Sequence, residues 1–102
     1  MRYLASRVCY LALVAVFANS QVMASSVEEG QAVYNEHCAS CHGDGLRNPG
    51  SSFDLKQLKL GDNVRFIRSV LGGKNQMPPW KGVLDESQIE SLWLYIRENA
   101  DD

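Results

Sequence analysis

The chain is 102 residues long, 45% apolar, 22% charged, and carries a formal net charge of −2. That length supports one small domain and excludes a multidomain machine. The acidic balance argues against a protein that neutralises a nucleic-acid backbone.

Arg2 and Arg7 precede an apolar run from Val8 to Ala18, and Val22-Met23-Ala24 then supplies small residues suited to a signal peptidase. Residues 1–24 therefore read as a secretory signal cleaved after Ala24. A retained membrane anchor is the competing reading, but the run is too short to span a bilayer comfortably. Cys9 lies inside the run and leaves with it, so the expected exported domain, residues 25–102, keeps only Cys38 and Cys41. It carries eight Lys and Arg against twelve Asp and Glu. A domain this small buries too little surface to be comfortably stable alone, so a staple is expected.

Ser26 followed by Glu29 is a capping-box pattern opening a short helix with Gly30, Val33 and Tyr34 on or near one face. A glycine inside a helix costs about 1 kcal/mol relative to alanine. Gly30 is thus either tolerated at that cost or marks the point where another helix crosses closely.

The helix runs into Cys38-Ala39-Ser40-Cys41-His42, which reads as a site of covalent c-type haem attachment. Two thiols at this spacing form thioethers to the haem vinyl groups, and the histidine that follows ligates the iron. The competing readings are a redox Cys-x-x-Cys pair and half a zinc site. The zinc reading lacks two more ligands at suitable spacing, and the redox reading lacks a βαβ pattern.

Residues 43–52 are rich in Gly, Asp, Asn, Pro and Ser and read as a loop around the proximal face. A carbonyl near Asn48 or Pro49 is the expected acceptor for the other imidazole nitrogen of His42. Phe53, Leu55, Leu58 and Leu60 form an apolar segment without a clear period. Asp62 then opens a helix with the stripe Phe66, Ile67, Val70 and Leu71, ending at Gly72-Gly73. This stripe is expected to form core against the porphyrin.

A second loop carries Met77-Pro78-Pro79-Trp80 on a stiff, irregular segment. Asp85 caps a last helix in which Ile89, Leu92, Trp93 and Ile96 follow helical spacing. No strand pattern appears.

Met77 is the one methionine left after export, since Met1 and Met23 go with the signal, and it is the expected distal ligand. His37, adjacent to Cys38, reads as a solvated helix-end residue. A histidine and a thioether together saturate the iron, which points to outer-sphere electron transfer rather than oxygen or peroxide chemistry, so an enzyme is not expected. Trp80 either bonds a haem propionate or packs at the cofactor edge. Lys74 and Lys81 are either a local docking patch or solvated loop residues.

With Cys38-Ala39-Ser40-Cys41-His42-Gly43, Met77-Pro78 and a terminal helix carrying Leu92 and Tyr95, the chain resembles small bacterial class I cytochromes c. The resemblance implies an all-α fold of three to five short helices around one covalently bound haem. It also implies that the N-terminal helix crosses the C-terminal one, Gly30 and Tyr34 meeting Leu92 and Tyr95. Phe53-Asp54-Leu55, Gly73-Lys74-Asn75 and Met77-Pro78-Pro79-Trp80 are also similar to cytochromes that accept electrons from quinoprotein (PQQ) alcohol dehydrogenases. The expectation is a periplasmic one-electron carrier with a quinoprotein dehydrogenase as donor and another cytochrome or a terminal oxidase as acceptor. It makes no stable membrane insertion after signal cleavage. The runner-up is a general carrier to an oxidase. From a different class, the alternative is a haem enzyme or gas sensor with a labile Met77.

Overall fold

The structure, a computed structural model, describes residues 25–101; the expected signal, residues 1–24, lies outside them. Four α-helices occur among the described residues: α1 Val27–His37, α2 Ala39–His42, α3 Asn63–Gly72 and α4 Glu86–Glu98. Short 3-10 turns fill the connections, and among the described residues two isolated bridges, Lys74 with Met77 and Lys81 with Leu84, stand in place of any strand. No helix among the described residues is long and apolar enough to cross a membrane.

α1 starts where Ser26 Oγ accepts the Glu29 N–H at 3.0 Å, with Glu28 and Glu29 complementing the positive helix end. Only half of the expected capping box forms. The Ser26 N–H donates instead to Ser91 Oγ of α4 at 3.0 Å, which also gives that fully buried hydroxyl a partner. In α4 both halves of the box are present, Asp85 and Gln88 exchanging bonds of 2.8 Å.

The crossing of α1 and α4 decides the two readings of Gly30. A Cβ at that position would lie 1.9 Å from Ser91 O and 2.9 Å from Tyr95 Cβ, so the two backbones touch where only glycine fits. Tyr34 and Tyr95 stack beside this point with ring centroids 5.4 Å apart. Val33, Tyr34, Leu92 and Ile96 are buried on the two facing sides.

α3 leans on α4 through Phe66 and Trp93, whose rings lie 5.2 Å apart. Asp62 stands before α3 but does not cap it. Its carboxylate accepts the Lys59 N–H at 2.8 Å and pairs with Arg65 at 3.4 Å, closing a 3-10 turn over Leu60–Asp62 that leads into the helix. The segment without a clear period holds a second 3-10 turn, Leu55–Gln57. Arg97 of α4 holds it by donating to Leu58 O at 2.7 Å, while Leu58 joins the core.

Candidate functional site

Cys38 ends α1 and opens α2 at a kink (φ −120°, ψ −30°), after which α2 consists of four residues ending at His42. The His42 N–H returns to Cys38 O at 2.9 Å, so the two cysteines and the histidine share one tight turn. Neither thiol is in a disulfide. Burial, and then the neighbouring Cys41, pushes the Cys38 thiol up to about 11. A redox-active Cys-x-x-Cys needs the opposite shift.

Gly43 leaves the turn at φ +97°, and a Cβ there would meet Arg47 O at 1.8 Å. Its carbonyl accepts the Tyr34 hydroxyl at 2.5 Å, which anchors the loop to α1. Leu46 follows at φ +66°, an uncommon conformation for leucine, and is fully buried.

The acceptor for His42 is not near Asn48 or Pro49. Its Nδ1 lies 3.2 Å from Phe53 O. Asn48 Oδ1 instead accepts the Gly50 N–H at 3.0 Å, turning the chain onward, and Ser52 Oγ clamps it back on Cys41 O at 3.0 Å. The next carbonyl therefore comes to face the imidazole. Burial lowers the His42 pKa, with the Phe53 carbonyl acting in the other direction, and this favours the neutral ring that metal ligation needs.

The second loop is tied to the end of α3. Trp80 N–H donates to Val70 O at 2.8 Å and Lys81 N–H to Leu71 O at 3.3 Å. Lys74 and Met77 exchange backbone bonds of 3.0 and 2.9 Å across a tight turn, with Asn75 at φ +56°. Gly73, at φ +81°, lets this turn fold over it, since a Cβ would stand 2.8 Å from Met77 O.

The two loops and the helices enclose a cleft of about 970 Å³. Cys38, Cys41, His42 and Met77 all line it, although Met77 is far from the others in sequence. Leu58, Phe66, Val70, Leu84, Leu92 and Ile96 supply apolar wall. Two free thiols, a half-buried imidazole and a thioether around an apolar cavity at the large end of the ligand-site range fit a haem c.

Several expectations change here. Ile67 and Leu71 do not line this cleft; the α3 stripe is split, Phe66 and Val70 facing the cleft while Ile67 and Leu71 line a groove behind it. His37 is not a solvated helix end, because its ring packs edge-on against Trp80 with centroids 5.0 Å apart and lines the cleft. Trp80 and Lys74 line the cleft and Lys81 does not. Arg65 is a lining residue that the sequence reading missed. Arg65 and Ser69 stand four residues apart beside Phe66 and Val70, and that spacing was the available signal.

The family described as cytochrome C oxidase, cbb3-type, subunit III matches residues 25–96. Cytochrome c6 of Leptolyngbya boryana is 34% identical over 77 residues, covering 71% of this chain and 91% of the relative. The cbb3-type cytochrome c oxidase subunit CcoP of Azospirillum sp. (strain B510) is 36% identical over 85 residues, and the chain spans only 28% of that longer protein. Among solved structures, cytochrome c6 from the diatom Phaeodactylum tricornutum superposes with a TM-score of 0.57 at 28% identity, covering 71% of this chain and 91% of that one. With this match, the fold and the donor set of the cleft in agreement, the chain belongs to that family, as a small class I cytochrome c with one covalently attached haem c.

Proposed function

We propose that residues 25–102 are exported to the periplasm and work as a one-electron carrier. Cys38 and Cys41 hold the haem by thioethers, His42 is the proximal ligand and Met77 the distal one. The observation that carries this reading is that these four side chains, three from the α1–α2 turn and α2 and one from the distant second loop, line one cleft. When bound, haem supplies an iron that alternates between ferric and ferrous states. The chain's own part is to hold it. The Phe53 carbonyl orients the His42 ring, the Gly73–Met77 turn presents the thioether, and the apolar wall keeps water from the porphyrin. A thioether ligand and burial both favour the reduced state, so a comparatively high potential is expected.

For the electron donor we propose a quinoprotein alcohol dehydrogenase, with a later cytochrome or terminal oxidase as acceptor. The likeness of Phe53–Leu55, Gly73–Asn75 and Met77–Trp80 to cytochromes served by such enzymes supports it. All three segments contribute to the cleft lining. A general carrier to a terminal oxidase is the second reading, favoured by the match to an oxidase-subunit family.

Met77→Ala tests the ligand set. It should abolish the methionine–ferric charge-transfer band and lower the potential, whereas an unchanged spectrum and potential would overturn the assignment. Stopped-flow reduction of the oxidised protein tests the donor. Fast, salt-sensitive reduction by a quinoprotein dehydrogenase is expected, and reduction no faster than by unrelated dehydrogenases would reject it.

A further inference from the structure

The loop that carries Met77 takes its backbone support from α3. Gly73, Trp80 and Lys81 donate their N–H groups to the carbonyls of Ser69, Val70 and Leu71, and Val83 and Leu84 close back on Trp80 O at 3.0 Å. The haem-bearing residues Cys38, Cys41 and His42 belong to a different part of the chain, the α1–α2 turn and α2. A covalently anchored haem moves with that turn, whereas the thioether moves with the loop.

His37 and Trp80 join the two parts. His37 ends α1 directly before Cys38, and Trp80 stands three residues after Met77. Their rings meet edge-on, with centroids 5.0 Å apart and planes at 61°, the arrangement that aromatic pairs prefer. Both side chains are half-buried and both line the cleft. His37 Nε2 faces Glu36 Oε1 of its own helix at 3.8 Å, so the contact with the loop is ring against ring. Backbone holds each partner in place: His37 sits in the last turn of α1, and Trp80 is fixed through both its N–H and its carbonyl. Little further ordering is needed to keep the rings together.

We propose that His37 is a positioning residue for the distal ligand: its ring latches Trp80 and through it holds the Met77 loop closed over the haem. The inference rests on the reading of Met77 as that ligand. A thioether favours ferrous over ferric iron, so it is in the oxidised protein that the loop's position decides whether the sulfur stays on the metal. The latch ties the sulfur's loop to the residue beside the first haem anchor, independently of α3. An aromatic pair of this kind shifts an open–closed equilibrium by about two- to tenfold.

Imidazole binding to the oxidised, haem-loaded protein is the test, because imidazole reaches the iron only when the thioether leaves it. His37→Ala should raise the apparent imidazole affinity by about two- to tenfold and lower the temperature at which the methionine–ferric charge-transfer band fades. His37→Gln, which keeps a polar side chain at the helix end without a ring, should behave in the same way. His37→Phe, which keeps a ring and loses the nitrogens, should restore the wild-type affinity. In a Trp80→Leu background, His37→Ala should add nothing further. A wild type without the charge-transfer band would overturn the reading of Met77 and the latch with it. A wild type that shows the band but whose imidazole affinity is unchanged in His37→Ala and His37→Gln, remains raised in His37→Phe, or still responds to His37→Ala in the Trp80→Leu background would overturn the latch alone.

Discussion

Tyr34 shows how one side chain links the helix crossing to the haem loop. Its ring is fully buried against Tyr95, and its hydroxyl donates to the Gly43 carbonyl, which fixes the chain directly after the Cys38–His42 turn. Burial, then the nearby Cys38 and Tyr95, pushes its pKa from 10.0 up to about 12. The folded value lies above the unfolded one. The stabilisation is therefore complete below the unfolded value of 10.0 and is lost as pH rises through about 12. Tyr34→Phe should cost about 1–2 kcal/mol at neutral pH by removing a buried hydrogen bond. Thermal unfolding at alkaline pH should then show the wild type losing its advantage as the phenol ionises, while the variant's curve stays flatter. A constant difference across that range would show that the hydroxyl does not act through this bond.

At the scale of elements, the α1–α4 crossing and the two loops define the site. Gly30→Ala would drive a methyl into the Ser91 carbonyl, and overpacking of this kind costs about 1–3 kcal/mol, at the upper end here because backbone cannot yield as a side chain can. Urea unfolding should show the loss, and a change below about 0.5 kcal/mol would mean that the helices part without penalty. The helices and the haem pentapeptide were legible in the sequence because each depends on local spacing: Ser26 and Asp85 as caps, Ile89 to Ile96 as a period, Cys38 to His42 as one turn. The crossing came only with the resemblance to class I cytochromes c, since Gly30 alone was equally a tolerated helix glycine. The acceptor for His42 was not legible. It depends on the path of residues 43–52, which the Asn48–Gly50 turn and the Ser52–Cys41 clamp determine together. The division of the α3 stripe between two cavities was equally hidden, since a helical period gives the width of an apolar face and not the number of neighbours it meets. His37 misled for the same reason: a residue at a helix end looks solvated until a distant loop brings Trp80 over it.

At the scale of the molecule, the charges are separated. Arg65 and Lys74 line the haem cleft without a single carboxylate among its walls, while Glu86 and Glu90 rim the groove behind. Of the two cations, Arg65 is paired with Asp62 beside the cleft, which leaves Lys74 as the lining cation without an ion pair among the described residues. The proposed carrier function would be best served by an iron that stays ligated on both sides in each oxidation state, with no position open to small gases. His42, at the end of α2, and Met77, on the second loop, both line the cleft and would hold it in that way. The most direct measurement is the optical spectrum of the purified, reduced protein before and after carbon monoxide is added at neutral pH. A carrier with both axial positions held gives a low-spin spectrum that carbon monoxide leaves unchanged, whereas ready binding of the gas would show an open iron and contradict the electron-carrier account.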